Sequence, residues 1–566
     1  MSIFANRRAL LAAGAGLIAA SAARGQPIPV TPPTIGSPNT ATADPTVPRP
    51  RSTPCRVTLF TDVKFADFSP KPFAYAPACP GPWRQVVLEA DFSVEAGRQF
   101  DRTATLWIGG VNIYFGTTAE PTRKTAAGPA IGRAWHVERD LTEYAALLTG
   151  PAVGRAELGN LINSRYTSAL WGTAQLAFYP RDEDDGDGDA PRTADVVLPL
   201  SGGPTGGTVA LFKPSDALTA TFQLPTNVER AFLDVILQHQ GANDEFWYTC
   251  VPTVLADALQ SCNGTAFREG QVSIDGRPAG VVPIFPWIFT GGIDPYLWRP
   301  IPAVQALNFV PYRVDLTPFA GVLSDGQPHR LAINVTNNSQ YFSTTATLLL
   351  FLDHGAKRVS GEVTKNTIGA PSPKITTQGI DPKADPVVGT VTTISSRTFV
   401  LAGWVRTSHG KVHTEIQQTI DFSNIQDFVA PSGASTFVQK IAQLTGIRSV
   451  TKVWRGDRTR ETATRMAWPL TVDIVSPDNF TTGWTTRIRQ AYDRTDTLSR
   501  AGEVEFTSVV SNSGEWADDY PTTKIQSGAQ HYFSADSEGA CYSRSIKAAN
   551  GVLTGITDGA DCGNGD

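Results

Sequence analysis

Asp101 opens the run Phe100-Asp101-Arg102-Thr103-Ala104-Thr105-Leu106-Trp107-Ile108. Its alternation predicts a strand with Asp101 and Arg102 on opposite faces. A carboxylate at the mouth of an aromatic-flanked strand is either a hydrogen-bonded edge residue or a working acid. A second segment, Asn243-Asp244-Glu245-Phe246-Trp247-Tyr248, sets two acids against three aromatics. Further on, the stretch from Phe285 through Trp287, Phe289, Gly291-Gly292, Asp294-Pro295 and Trp298 to Pro300 holds too much Pro, Gly and Trp for a regular element. Such a loop either packs over a domain interface or walls a ligand pocket, where aromatic faces suit sugar rings. Two acid-aromatic sites in one chain point to a carboxylate-based hydrolase acting on something that carries a sugar.

The elements that must hold these residues are strands. Only 18% of residues are charged, 50 are Gly, 41 are Pro and two are Met. With many Thr, Val and aromatic residues, this is the composition of an all-β chain of short strands and punctuated loops. A length of 566 residues exceeds one core and implies two to four domains. The expected division is a signal peptide at 1–25 and a Pro/Thr-rich, disordered linker at 26–54. A first β-sandwich at 55–200 carries Asp101, a connector covers 201–220, a second sandwich at 221–355 carries Glu245, and 356–566 forms an accessory β-rich region. Within the first block, Asp140 to Leu148 reads as a short capped helix, Asp140 being the N-cap with Glu143 three residues on. The acid-dense run 182–189 reads as a solvated hairpin tip, a calcium loop being the weaker alternative because its Gly and terminal acid are misplaced.

Arg7-Arg8 before the apolar run Ala9 to Ala20 marks an export leader, of either twin-arginine or ordinary secretory type. The mature protein is therefore expected to be secreted or periplasmic. Six cysteines fit that compartment, and sequence proximity favours Cys55 with Cys79, Cys250 with Cys262 and Cys541 with Cys562 among the fifteen possible pairings. A net charge of −5 without a basic stripe makes nucleic acid an unsuitable partner, and no segment past the leader reaches the roughly 18 apolar residues of a membrane span. The seven His are scattered, His409 and His413 being the only close pair, so neither metal nor other cofactor is expected.

Several segments together resemble the peptide:N-glycosidase A-type amidases. These are Cys79-Pro80-Gly81-Pro82-Trp83-Arg84 through Glu89, Gly97-Arg98-Gln99-Phe100-Asp101-Arg102, Thr117-Thr118-Ala119-Glu120-Pro121-Thr122, and Asn243 to Tyr248. Phe289 to Ile301 and Asp315-Leu316-Thr317-Pro318-Phe319 complete the set. The matches are ordered and fall within residues 55–355. The resemblance implies two adjacent jelly-roll β-sandwiches with the site at their interface, and hydrolysis of the amide joining an N-glycan to asparagine. The substrates would be N-glycopeptides and denatured N-glycoproteins, the protein acting as a monomer at acidic pH and tolerating core fucose. It implies Asp101 and Glu245 as the catalytic carboxylates. Arg102, Glu120, Asp244, Trp247 and Trp298 become the candidates for substrate contact, with Trp287 a further stacking candidate and Asp244 reading also as a turn residue. A third carboxylate implied by the related F-type amidase falls near Asn163, and Glu120 is the substitute for it. A serine hydrolase lacks its Gly-x-Ser-x-Gly elbow. A carboxylate-pair glycosidase and a β-sandwich lectin that binds N-glycans without cutting them remain the alternatives.

Overall fold

The computed structural model describes residues 26–100, 102–123, 129–181, 193–431, 433–522 and 524–562. The leader 1–25, the acid-dense run 182–189 and Asp101 itself lie outside the described residues. The chain is all-β, and the helices among the described residues are three to seven residues long. In the first sandwich one sheet orders strands Cys55–Phe65, Leu170–Pro180, Trp83–Val94 and Arg133–Asp140. Facing it is the sheet Lys71–Tyr75, Ala152–Leu158, Thr103–Ile108 and Val111–Thr117. Their inward residues, including Val86, Leu88, Phe92, Leu106, Ile113, Tyr114 and Leu176, form one apolar core. The predicted strand from Phe100 begins only at Thr103. Thr142–Leu148 is a 3-10 helix whose N-cap is Leu141 and not Asp140; Asp140, one residue earlier, accepts from the Thr142 amide at 2.8 Å.

The second sandwich packs Val209–Leu211, Phe342–Leu352, Val228–His239 and Tyr312–Asp315 against Leu218–Gln223, Pro328–Thr336, Glu269–Ile274 and Arg277–Pro283. Strand Val196–Leu200, which the sequence put in the first block, pairs instead with Phe342–Leu352. Residues 342–351 are buried without a break, the signature of a strand covered on both faces. Its alternation splits the side chains: Leu348 and Leu350 enter the second core, Leu349 and Phe351 the first. This strand is the wall the two sandwiches share. Polar ties reinforce it, Tyr144 Oη donating to Asp234 Oδ2 (2.7 Å) and Arg313 gripping the same carboxylate at 2.7 and 2.8 Å.

Beyond Val359 the chain forms an 11-stranded sheet in which nearly every strand lies beside its predecessor. Strands reach 21 residues, as in Val387–Thr407 and Gly410–Ala430, about 70 Å at the usual rise. Every second residue is buried along much of their length, and these residues join the second sandwich's core. The segment 26–54 is not a loose linker. It lies along this sheet: the Ala43 amide donates to Gln530 Oε1 (2.8 Å), Asn512 Nδ2 to Asp44 Oδ1 (2.5 Å), and Gly36 and Ser37 exchange backbone hydrogen bonds with Leu553. All three proximity pairs of cysteines are disulfide-bonded.

Candidate active site

The loop leading to Asp101 is rigidly packed. The Phe100 ring meets Phe68 and Tyr166 edge-on at 5.7 and 5.4 Å. Arg102, expected to touch substrate, is buried, and its guanidinium donates to Asn160 Oδ1 (2.6 Å) and to the Phe100 carbonyl. Asn160 in turn donates to the carbonyls of Phe65 and Ser168. Arg102 therefore braces the loop against the sandwich end. Asn163, the position matched to a third carboxylate, closes a turn by accepting from the amides of Arg165 and Tyr166.

Glu120, three residues past the strand Val111–Thr117 of the first sandwich, sits in a polar cluster. It accepts from Arg299 Nη2 at 3.0 Å and from Gln99 Nε2, and Gln99 Oε1 accepts from Thr118 Oγ1 at 3.1 Å. Arg299 also donates to the Pro121 carbonyl (2.8 Å). Arg133 completes the cluster, and burial, with the neighbouring Arg299 charge, depresses its guanidinium to about 9. Arg299 and Gln99 were not singled out from the sequence. The available signal was position alone, Gln99 lying two residues before Asp101 and Arg299 one before Pro300 in the aromatic loop.

Glu245 ends the helical turn Ala242–Glu245 and is half-buried. Its carbonyl lies 2.7 Å from His239 Nδ1. Burial depresses the imidazole to about 4, so the ring is neutral and Nδ1 carries the proton toward that carbonyl. The disulfide Cys250–Cys262 ties down the segment that follows.

Three expected substrate contacts are not available. Asp244 is fully buried, pairs with the fully buried Arg268 at 2.8 Å, and accepts from the amides of Ser339, Gln340 and Tyr341. It anchors two loops, the turn role that its type also allowed. Trp247 is 1% exposed and packs on Phe422; Trp298 is 2% exposed, packs on Trp516 and donates from Nε1 to the Gly292 carbonyl. Trp287 is buried as well, stacked on His239. These indoles are core, and no face is left for a sugar.

The aromatic loop links the two acid regions. Thr290 Oγ1 donates to the Thr118 carbonyl, two residues from Glu120. A Cβ on Gly292 would fall 3.1 Å from the Phe246 ring, next to Glu245. Arg299, at the loop's end, returns to Glu120. Phe309 and Ala306 hydrogen-bond the edge strand of the first sandwich at Phe115 and Thr117. The loop thus does what its composition allowed: it packs over the interface of the sandwiches, touching the surroundings of Glu120 and of Glu245. A separate cleft of about 210 Å³ opens between the second sandwich and the long sheet, lined by Tyr312, Trp468, Tyr492, Thr464 and Arg494 among others. Glu120, Asp244 and Glu245 do not line it.

The sequence model of the peptide N-acetyl-β-D-glucosaminyl asparaginase amidase A family matches residues 44–369, over half the chain, and the chain belongs to that family. The peptide-N4-(N-acetyl-β-glucosaminyl)asparagine amidase A of Prunus dulcis is 35% identical over 342 residues, 58% of this chain and 58% of that protein. The chain therefore spans about 58% of the length of this relative. Among solved structures, PNGase F, a glycosylasparaginase from Flavobacterium meningosepticum, is similar with a TM-score of 0.36 at 13% identity, covering 53% of this chain and 96% of its own. The structure of PNGF-II gives 0.33 at 13% identity, over 53% of this chain and 66% of that one.

Proposed function

We propose that the protein is an exported amidase that hydrolyses the β-aspartylglucosylamine bond of N-glycopeptides and denatured N-glycoproteins. It releases the intact glycan and converts the glycosylated Asn to Asp. The observation that carries this reading is the family match across 44–369, which takes in both acid segments and the loop between them. An amide is inert until a water is made nucleophilic and the carbonyl oxygen is stabilised as charge builds. Asp101 orients and deprotonates that water. Glu245, presented from the second sandwich with its backbone held by neutral His239, binds the first N-acetylglucosamine and, when protonated, assists the departing amine. Leaving-group protonation by a carboxylic acid places the optimum on the acidic side. Glu120, ion-paired with Arg299, lends the site polarity. Core-fucose tolerance and action as a monomer belong to the same proposal.

The test is product identity. The mature protein is incubated with a defined N-glycopeptide in oxygen-18 water at acidic and neutral pH, and both products are weighed. Intact glycan plus a peptide whose Asn has become heavy-labelled Asp is the expected result. A peptide that keeps one N-acetylglucosamine would make the protein a glycosidase, and glycopeptide binding with no product would make it a lectin.

A further inference from the structure

The long C-terminal sheet has an unusual inner face. Along Gly410–Ala430 and Phe437–Arg455, the buried positions alternate apolar residues with Gln418, Asn424, Gln426, Gln439 and Gln443. Buried amides are costly unless satisfied; Gln418 donates to Tyr312 Oη, and three of the others share one target. Asn424 Nδ2 donates to the Tyr248 carbonyl at 2.9 Å, Gln439 Nε2 to that of Thr249 at 3.1 Å, and Gln426 Nε2 to that of Cys250 at 2.9 Å. Three consecutive carbonyls, beginning three residues after Glu245, are each capped by a different side chain. The amides also lock one another, Asn424 to Gln443 (2.9 Å) and Gln439 to Gln426 (3.0 Å).

A second set holds the aromatic loop. Gln490 Nε2 donates to the Pro286 carbonyl (2.7 Å), Trp516 Nε1 to that of Ile301 (3.0 Å) and Gln526 Nε2 to that of Arg299 (2.8 Å). Both segments lie outside the named strands, and a backbone without regular structure needs its carbonyls met elsewhere. The clamp residues, 424 to 526, lie beyond the 44–369 span matched by the family.

We infer that the C-terminal sheet is a clamp whose buried amides, chiefly Asn424, Gln426 and Gln439 on one segment and Gln490 and Gln526 on the other, are positioning residues for Glu245 and Arg299. This rests on the reading of Glu245 as part of the site. An array of six donors aimed at named carbonyls fixes where the two segments stand relative to each other, which apolar packing alone would leave adjustable.

The test compares the full-length wild type with Gln426→Met/Gln439→Met and with Thr445→Val. Thr445 is buried on the same face and makes no hydrogen bond to either loop among the described residues. Hydrogen exchange of residues 246–251 should quicken about 10- to 100-fold in the double variant, the first sandwich staying unchanged and Thr445→Val matching the wild type. On a glycopeptide, kcat should fall by a similar factor while KM moves less than about threefold. Unaltered exchange at 246–251 in the folded double variant would overturn the clamp, as would equal quickening in Thr445→Val. Should the double variant not fold, Gln490→Met is read in the same way over 285–292. A wild type without amidase turnover sinks the proposed function, and the exchange data still decide the clamp.

Discussion

The first sandwich and the long C-terminal sheet bury comparable faces by opposite means. Inside the sandwich, Val86, Leu88, Leu106, Ile108 and Ile113 are completely buried in one apolar cluster. On the inner face of the sheet, Ile416, Ile420, Phe422 and Phe428 are interleaved with Gln418, Asn424 and Gln426. The first kind of face is held by transfer of area from water and by close packing, and is indifferent to which residue fills the volume. The second holds chosen carbonyls at chosen points. Cohesion is therefore assigned to the sandwich, and placement of the irregular segments that carry the candidate site to the sheet.

If that division is right, perturbations should sort by kind. The largest effect falls on the buried ion pair that pins both loops. Asp244→Ala strands Arg268 without its partner and releases three amides, so a loss of about 3–5 kcal/mol is expected in urea denaturation. Next is the sandwich core: Leu106→Ala should cost about 2–5 kcal/mol, and the fraction that stays folded should turn over at the wild-type rate. A drop in its kcat to match the clamp variants would erase the distinction between the two faces. Replacing Cys250 and Cys262 together by Ser opens a 12-residue separation, worth about 2–3 kcal/mol, and should quicken exchange in the same segment that the amides clamp.

The smallest effect is a pH dependence at the seam. Asp294 of the aromatic loop and Asp518 of the sheet meet carboxyl to carboxyl, both fully buried. Burial, then the Asp294 charge, pushes Asp518 up to about 8, against 3.8 for an ordinary aspartate; Arg299 opposes the shift and Asp519 adds to it. The native state thus holds a proton that the unfolded chain releases. The contribution to stability is complete below about pH 4 and is lost as pH rises through 8. Asp518→Asn, which cannot ionise, should melt a few degrees above the wild type at pH 9, the gap closing toward pH 4. Parallel melting curves at both pH values would show that the pair holds no such proton.

Much of this architecture could be read from the chain. Alternation located strands, and proximity paired the cysteines; the wall strand Phe342–Leu352 was not legible, because Ser343, Thr344, Thr345 and Thr347 give it no apolar run. The other failures share one cause, partners far away in sequence. Trp298 and Trp247 looked like sugar platforms because nothing nearby shows that Trp516 and Phe422 cover them. Asp244 finds Arg268 24 residues on and the 339–341 amides 95 to 97 residues on. Segment 26–54 has a linker's composition, yet its anchors Asn512, Gln530 and Leu553 lie at the other end of the chain. The Gln-rich inner face was invisible for a related reason, since alternating Gln and Thr normally mark the solvent side of a strand.

The most direct test of the account is a pair of isosteric variants, Asp101→Asn and Glu245→Gln, assayed on one N-glycopeptide for heavy-oxygen incorporation into the product Asp and, in parallel, for glycopeptide binding. The account predicts that each variant keeps the wild-type melting temperature and binds glycopeptide, that Asp101→Asn loses turnover by a factor of about 10³ or more, and that Glu245→Gln loses the acidic limb of the pH profile. Wild-type turnover in Asp101→Asn would contradict it.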